Sequence, residues 1–468
     1  MKTQDLQPTE ENLLKTLKDD LLNRNSDLVC FADMLSKVEG PYSIALNSPW
    51  GSGKTFFVKH MTMLLNAYNP QYSSEHKDIA EEIKKSIQEC INDSDTIPLD
   101  HRAVYYDAWA NDNDTDPLLS LLFGIAQSVN SDFNFSKPRN ATHVIFDILK
   151  IVKSTPITKY LKFLKYTDVD AIEDLTDNLT PESIFQEMES KNDLNELIKE
   201  FFDSLIIENS NRLVIFIDEL DRCRPTFAVE LLERIKHYFT DDRITFVFSV
   251  NKEQLIHTIK RFYGENFDAC RYLNRFFDYN IALSKLDLSK LSYTASLKDS
   301  NITYEDVCYK FINEYELTLR EIRKYKSAVN SALYIYSNTQ FNTIRSPYKQ
   351  AETLSLHIFV PIILGLDIIN SDKYSDFISG KDIEPLLKTF DNNNFYDAPY
   401  LLFNKKCENY YDTEKVAENL NQLYDVVFDC KMRSLNSIAL GELEFTSGIK
   451  DLVIRTASNI NRLAKYDL

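Results

Sequence analysis

Tyr-Ser-Ile-Ala-Leu-Asn-Ser-Pro-Trp-Gly-Ser-Gly-Lys-Thr, residues 42–55, decides how the rest of this chain is read. An alternating apolar run reads as a buried strand. It stops at a Pro/Gly turn, and Gly53-Lys54-Thr55 opens a helical pattern. In that setting main-chain N–H groups converge on an anion, and the helix N-terminus adds partial positive charge. Trp50, Gly51, Ser52, Gly53, Lys54, Thr55 and Phe56 are therefore expected to line a nucleotide phosphate site. Lys54 would reach the β- and γ-phosphates, and the Thr55 hydroxyl would ligate Mg²⁺. Glycine is scarce, nine in the whole chain, and two of them sit in this one turn. That concentration points to a backbone requirement. The usual spacing of such a loop opens on Gly. Here Ser48 stands in that place, and Pro49 after it restricts the turn.

A second run answers the first. Arg212-Leu-Val-Ile-Phe-Ile-Asp-Glu-Leu-Asp221 reads as a parallel strand buried on both faces and ending in carboxylates. Open α/β sheets bind ligands at that end of their strands. Asp218 is expected to hold Mg²⁺ through water, so that Thr55 and Asp218 form the metal site. Glu219 is placed to orient or deprotonate the attacking water. Arg102–Trp109, Arg243–Asn251 and Tyr279–Leu283 read as further strands. Asn251 either senses the γ-phosphate or caps the helix beginning at Lys252. Asn251-Lys252-Glu253-Gln254 resembles a guanine reader, but its fourth residue should be a carboxylate. Gln254 offers an amide, so ATP is favoured over GTP. Strands alternating with helices give an α/β fold, a doubly wound parallel sheet.

Taken together, the blocks resemble the KAP family of P-loop NTPases. They are Trp50-Gly-Ser-Gly-Lys-Thr55, Tyr106-Asp-Ala-Trp109, and Asp218-Glu-Leu-Asp-Arg-Cys-Arg-Pro225. Leu231–Lys236 and Arg271–Phe276 follow in order, and Leu317–Lys324 is similar to the family's helical lid. The likeness covers roughly residues 25–335. Glu219 stands where Asp is commoner, which keeps a candidate base. The resemblance implies an ATPase using Mg²⁺ whose hydrolysis acts as a conformational or assembly timer. It also implies a homo-oligomer or a partner protein, with an arginine finger for which Arg275 is the first choice. Arg222, Arg224 and Arg271 are further candidates, and Arg320 and Arg323 could reach phosphate from the lid. Relatives that exclude phage suggest anti-phage defence. Many family members carry membrane spans between the two motifs. This insertion has no run of ~18 apolar residues, because Asp147, Lys150 and Lys153 break its best stretch.

Organisation follows from these anchors. The P-loop core is expected at 1–117 and 206–290, a helical insertion at 118–205, a lid at 291–335 and a helical region at 336–468. Lys150, Lys153, Lys159, Lys162 and Lys165 could face a membrane or nucleic acid, and a solvated helix face is the favoured reading. Leu354–Leu366 suits a core helix better than a membrane span. The net charge of −18 disfavours a nucleic-acid partner and leaves a nucleic-acid-stimulated NTPase as a minor alternative. A second alternative is a nucleotide-gated scaffold with negligible turnover. Seven unpaired-looking cysteines and the lack of a leader point to the cytoplasm. Cys223 reads as a small buried hydrophobe, and the seven histidines have no zinc-ligand spacing.

Overall fold

The computed structural model describes residues 7–129 (without 39, 93–94 and 115), 196–203, 212–284 (without 240), 304–337, 346–390, 413–428 and 437–464 (without 442). The expected basic stretch at 150–165 lies outside the described residues. The chain divides into two units, Gln7–Leu291 and Ser292–Leu468.

The first unit is built on five strands: β1 (Tyr42–Asn47), β2 (His101–Asp107), β3 (Arg212–Asp218), β4 (Ile244–Val250) and β5 (Tyr279–Ala282). All pair in parallel, in the order β2-β3-β4-β1-β5. Parallel strands need crossovers, and helices supply them on both faces. Ile215, Ile217, Phe246 and Phe248 point to one face, where they meet Leu121, Phe202, Leu231 and Leu255. Those belong to α6 (Pro117–Val129), α7 (residues 196–203), α8 (Pro225–Tyr238) and α9 (Lys252–Tyr263). Val214, Phe216 and Val247 point to the other face. There they pack with α1 (Glu10–Lys18), α2 (Asn25–Lys37), α3 (Lys54–Tyr68) and α5 (Lys77–Ile87). The six-residue helix Pro70–Glu75 (α4) joins α3 to α5. The unbroken apolar reading of Leu213–Ile217 thus has its physical cause, since both sides of the strand are covered.

The helix that follows the glycine turn is pinned in two places. The Asn66 amide donates to Ala103 O (3.0 Å) and accepts from Ala103 N (2.8 Å), tying α3 to β2. On the far side His60 is buried, with Nε2 at 3.0 Å from Leu13 O and 3.1 Å from Thr16 Oγ1 of α1. Burial pushes the His60 imidazole down to about 4. Its native pKa lies below the ordinary 6.5, so the unfolded chain binds more protons as pH falls from 6.5 toward 4. Stability should therefore be lost across that window, by roughly 3 kcal/mol at most from this group. Urea unfolding at pH 7 and pH 4.5 checks this, with a smaller drop expected for His60→Gln than for the wild type.

The second unit is described by itself. Its helices are Tyr304–Glu314 (α11), Leu319–Ser337 (α12), Pro347–Ile369 (α13), Ser371–Ser379 (α14), Glu384–Phe390 (α15), Thr413–Phe428 (α16) and Ile449–Ala464 (α17). The short helix Ala269–Leu273 of the first unit is α10. By length and composition α13 could cross a membrane, with a mean hydropathy of 1.7 in its best window. Every residue from Leu354 through Leu366 is nevertheless buried, as a helix apolar all round must be. Gly365 admits the Phe311 ring so closely that a Cβ would sit 2.1 Å from it. Pro361 lies inside the helix, and its carbonyl accepts from Tyr325 Oη at 3.1 Å. The helical expectation for this region omitted one feature, an antiparallel hairpin of β6 (Ser437–Leu440) and β7 (Leu443–Thr446). Its strands of four residues are too short to show a period.

Candidate functional site

The loop after β1 and the acids after β3 meet at one edge of the sheet because β4 stands between their strands. Leu46, Ser249, Asp218 and Asp107 lie in one register row, each opposite the next. Neighbouring strands are roughly 4.8 Å apart. The loop thus has one strand to cross before it reaches Asp218.

The loop's own geometry follows from its residues. Gly51 (φ 79°) and Gly53 (φ 84°) occupy the left-handed region, where a side chain would be strained. Ser48 does not, since the non-glycine residues there are Asp20, Asn23, Glu219 and Glu316 among those described. A serine at the first position therefore costs the turn nothing in backbone strain. Ser48 N donates to Val250 O (3.2 Å), which continues the ladder one step past β1. Gly53 caps α3, and the amides of Lys54, Thr55 and Phe56 form the first turn of that helix, whose N–H groups have no intrahelical acceptor. The Phe56 ring is buried and set edge-on to His60, so what Phe56 offers the site is its amide. Trp50, Gly51 and Ser52 remain partly or fully exposed.

Lys54 is buried, and its ammonium donates to the carbonyls of Ser48 and Pro49 (3.0 Å for the latter). Burial pushes its pKa down, and the Asp221 and Asp218 carboxylates nearby pull it back up. Asp218 is 1% exposed. Burial raises its pKa, while the nearby Ser249 and Thr55 hydroxyls act to lower it. Tyr105 Oη also donates to Asp218 Oδ2 (3.2 Å), and burial together with that carboxylate keeps the phenol protonated. The two residues expected to share a metal are thus neighbours at this edge of the sheet, Thr55 in the first turn of α3 and Asp218 at the end of β3. One buried carboxylate with a hydroxyl is the donor set that suits Mg²⁺, an ion that takes few protein ligands and fills its octahedron with phosphate and water. Among the described residues no cluster of three His, Cys, Asp or Glu side chains offers a protein-only metal cage.

Glu219 is held in the left-handed conformation (φ 59°, ψ 25°), a strained position for glutamate of the kind that gathers at functional sites. Burial raises its pKa, and Arg222 opposes that with an ion pair at 3.1 Å. Asn251 caps α9, accepting from Gln254 N at 3.3 Å, so the capping alternative is observed. Asn251 directly follows β4, the strand between loop and acids. Cys223 is buried and its thiol pKa is raised by that burial. Arg224 is engaged by Asp112, which accepts its backbone N–H at 3.0 Å. Arg275 is exposed in the turn between α10 and β5. Among the described residues no hydrogen bond or ion pair joins it to the loop or the acids. Arg320 and Arg323 belong to the other unit.

Sequence reading missed Tyr105, Ser249 and Asp112. Tyr105 and Asp107 lie two apart on one strand, a period-2 signal that places them on one face once β2 is set beside β3. Ser249 becomes visible only through the register opposite Asp218.

Comparison with known proteins bears on this site. The model of the KAP family P-loop domain matches residues 26–338. No curated protein matches the chain. Among solved structures, the Aeropyrum pernix ORC1 protein in complex with DNA matches at 12% identity, covering 99% of this chain and 95% of that one, with a TM-score of 0.29.

Proposed function

This chain belongs to the KAP family of P-loop NTPases, and from that premise we propose that it binds ATP with Mg²⁺ and hydrolyses it. The observation that carries the reading is that the loop after β1, with Lys54 and Thr55 at the start of α3, and the acids after β3, Asp218 and Glu219, meet at one edge of the sheet, where the Asp218 carboxylate bears on the Lys54 ammonium. In this reading the triphosphate lies along the loop, cradled by its amides and by the N–H groups of Lys54, Thr55 and Phe56. The Lys54 ammonium exchanges the Ser48 and Pro49 carbonyls for phosphate oxygens. Thr55 and Asp218 would hold Mg²⁺, which would supply positive charge against that developing on the phosphate oxygens. Glu219 takes the proton of the attacking water. Asn251 can donate its amide N–H to the γ-phosphate or to that water. Arg275, exposed, is available to a neighbouring copy as a finger.

Turnover in this reading switches contacts made by the helical parts, with the cytoplasm as the proposed location and anti-phage defence as the biological setting. That last step rests on analogy with relatives. The purified full chain should release phosphate from ATP, and chelation of Mg²⁺ by EDTA should reduce that release at least 100-fold, with recovery on adding the ion back. ATP binding without Mg²⁺-dependent phosphate release would leave a nucleotide-gated scaffold. Second-order dependence of the rate on protein concentration, lost in Arg275→Ala, would support the finger.

A further inference from the structure

The motif Asp218-Glu-Leu-Asp-Arg222 ends in a cation whose surroundings are unusual. A short turn, with Arg222 N donating to Glu219 O at 3.0 Å, folds Arg222 back over Glu219. There its guanidinium meets the carboxylate at 3.1 Å. The same guanidinium lies 5.8 Å from the Trp50 ring centroid and 5.4 Å from that of Trp109. These are the chain's two tryptophans. They are 45% and 50% exposed, which is much for so large an apolar ring. Trp50 is itself fixed, its indole N–H donating to the Asp221 carboxylate across 171 positions of sequence. Trp50 belongs to the phosphate loop, and Trp109 follows β2 at the other side of the acids.

We infer that Arg222 is a positioning residue for hydrolysis: the two indoles orient its guanidinium, and the guanidinium holds the Glu219 side chain where it can reach the attacking water. The inference rests on the hydrolase reading above. Its physical argument has three steps. Glu219 sits on a strained backbone, so its side-chain direction needs an external hold. A guanidinium is planar and stacks on aromatic faces, so two rings fix its orientation as well as its place. Finally, one of those rings is carried by the loop that grips phosphate, so a shift of the loop on nucleotide binding passes through Trp50 to Arg222 and on to Glu219. A base displaced by about 1 Å loses on the order of 100-fold in rate. Binding, by contrast, is supplied by the loop amides and Lys54, and it does not need Glu219's exact aim.

The test separates rate from affinity. Phosphate release under saturating MgATP gives kcat, and displacement of a fluorescently labelled ATP analogue gives Kd. Arg222→Gln should lower kcat at least 30-fold with Kd within threefold of wild type. Arg222→Lys, which restores charge without the planar fork, should recover part of the rate. Trp109→Leu removes one wall at a half-exposed position that the fold tolerates, and should lower kcat at least fivefold, again with Kd retained. A kcat for Arg222→Gln and Trp109→Leu within twofold of wild type, or above it, overturns the inference. So does a loss of affinity as large as the loss of rate. A wild-type chain that binds the analogue and releases no phosphate overturns the hydrolase reading itself, an outcome visible before any variant is made.

Discussion

Glu219→Gln should bind MgATP as the wild type does and release phosphate at least 100-fold more slowly. The substitution keeps the shape of the side chain and removes its ability to take a proton. Positioned proton transfer contributes about 10²- to 10⁴-fold in rate, so the loss falls on kcat. Arg222 still has an oxygen to meet in the amide, so the turn over Glu219 is retained. The left-handed backbone at this position is no harder for glutamine than for glutamate. In the proposed reading binding depends on the loop, on Lys54, on Thr55 and on Asp218, none of which the substitution touches. Single-turnover phosphate release, with nucleotide content of the purified variant measured alongside, reads both quantities. Wild-type turnover in Glu219→Gln would move the base elsewhere. Asp107 is then the next candidate, since it stands one strand over in the same register row as Asp218.

The sequence made the frame of this site legible for a physical reason. Leu213–Ile217 and Ile244–Val250 are unbroken apolar runs because helices cover both faces of their strands. Gly51 and Gly53 are glycines because the chain turns left-handed at both places. Ser48 departs from the usual loop without consequence, since only those two positions of the loop adopt positive φ. Other features depend on register and on long-range closure, which no local pattern encodes. Tyr105 and Ser249 gain their meaning from standing beside Asp218 across strand pairs. The Trp50–Arg222–Trp109 arrangement joins three distant segments, and the place of Arg222 beside the acidic motif suggests by itself no more than a finger. Phe56 was grouped with the phosphate-binding residues by its place in the motif, yet the helix turns its ring inward against His60.

Lys54→Met should remove most of the stabilisation that MgATP confers. In the proposed reading the lysine contributes a point charge on the β- and γ-phosphates, and hydrogen bonds to charged groups are worth about 1.5–3 kcal/mol each. Two such bonds correspond to roughly a 100-fold loss of affinity or more. At ligand concentrations near 1,000 times Kd the wild type gains about 4 kcal/mol against unfolding, most of which the variant forfeits. Thermal unfolding with and without MgATP reads this as a large upward shift in the wild type and a small one in Lys54→Met. The shift is read within each protein, so a change in the free variant's own stability does not enter it. Burial of the ammonium already works against its charge, and its present bonds go to two carbonyls of an open loop. Removing the cation relieves that desolvation cost but leaves the buried Asp218 and Asp221 carboxylates without its charge, so the free variant's own stability falls. A variant that keeps the full MgATP shift would place the phosphates away from this loop. The nearness of Thr55 to Asp218 would then have a purely structural meaning, the first turn of α3 packing by the end of β3.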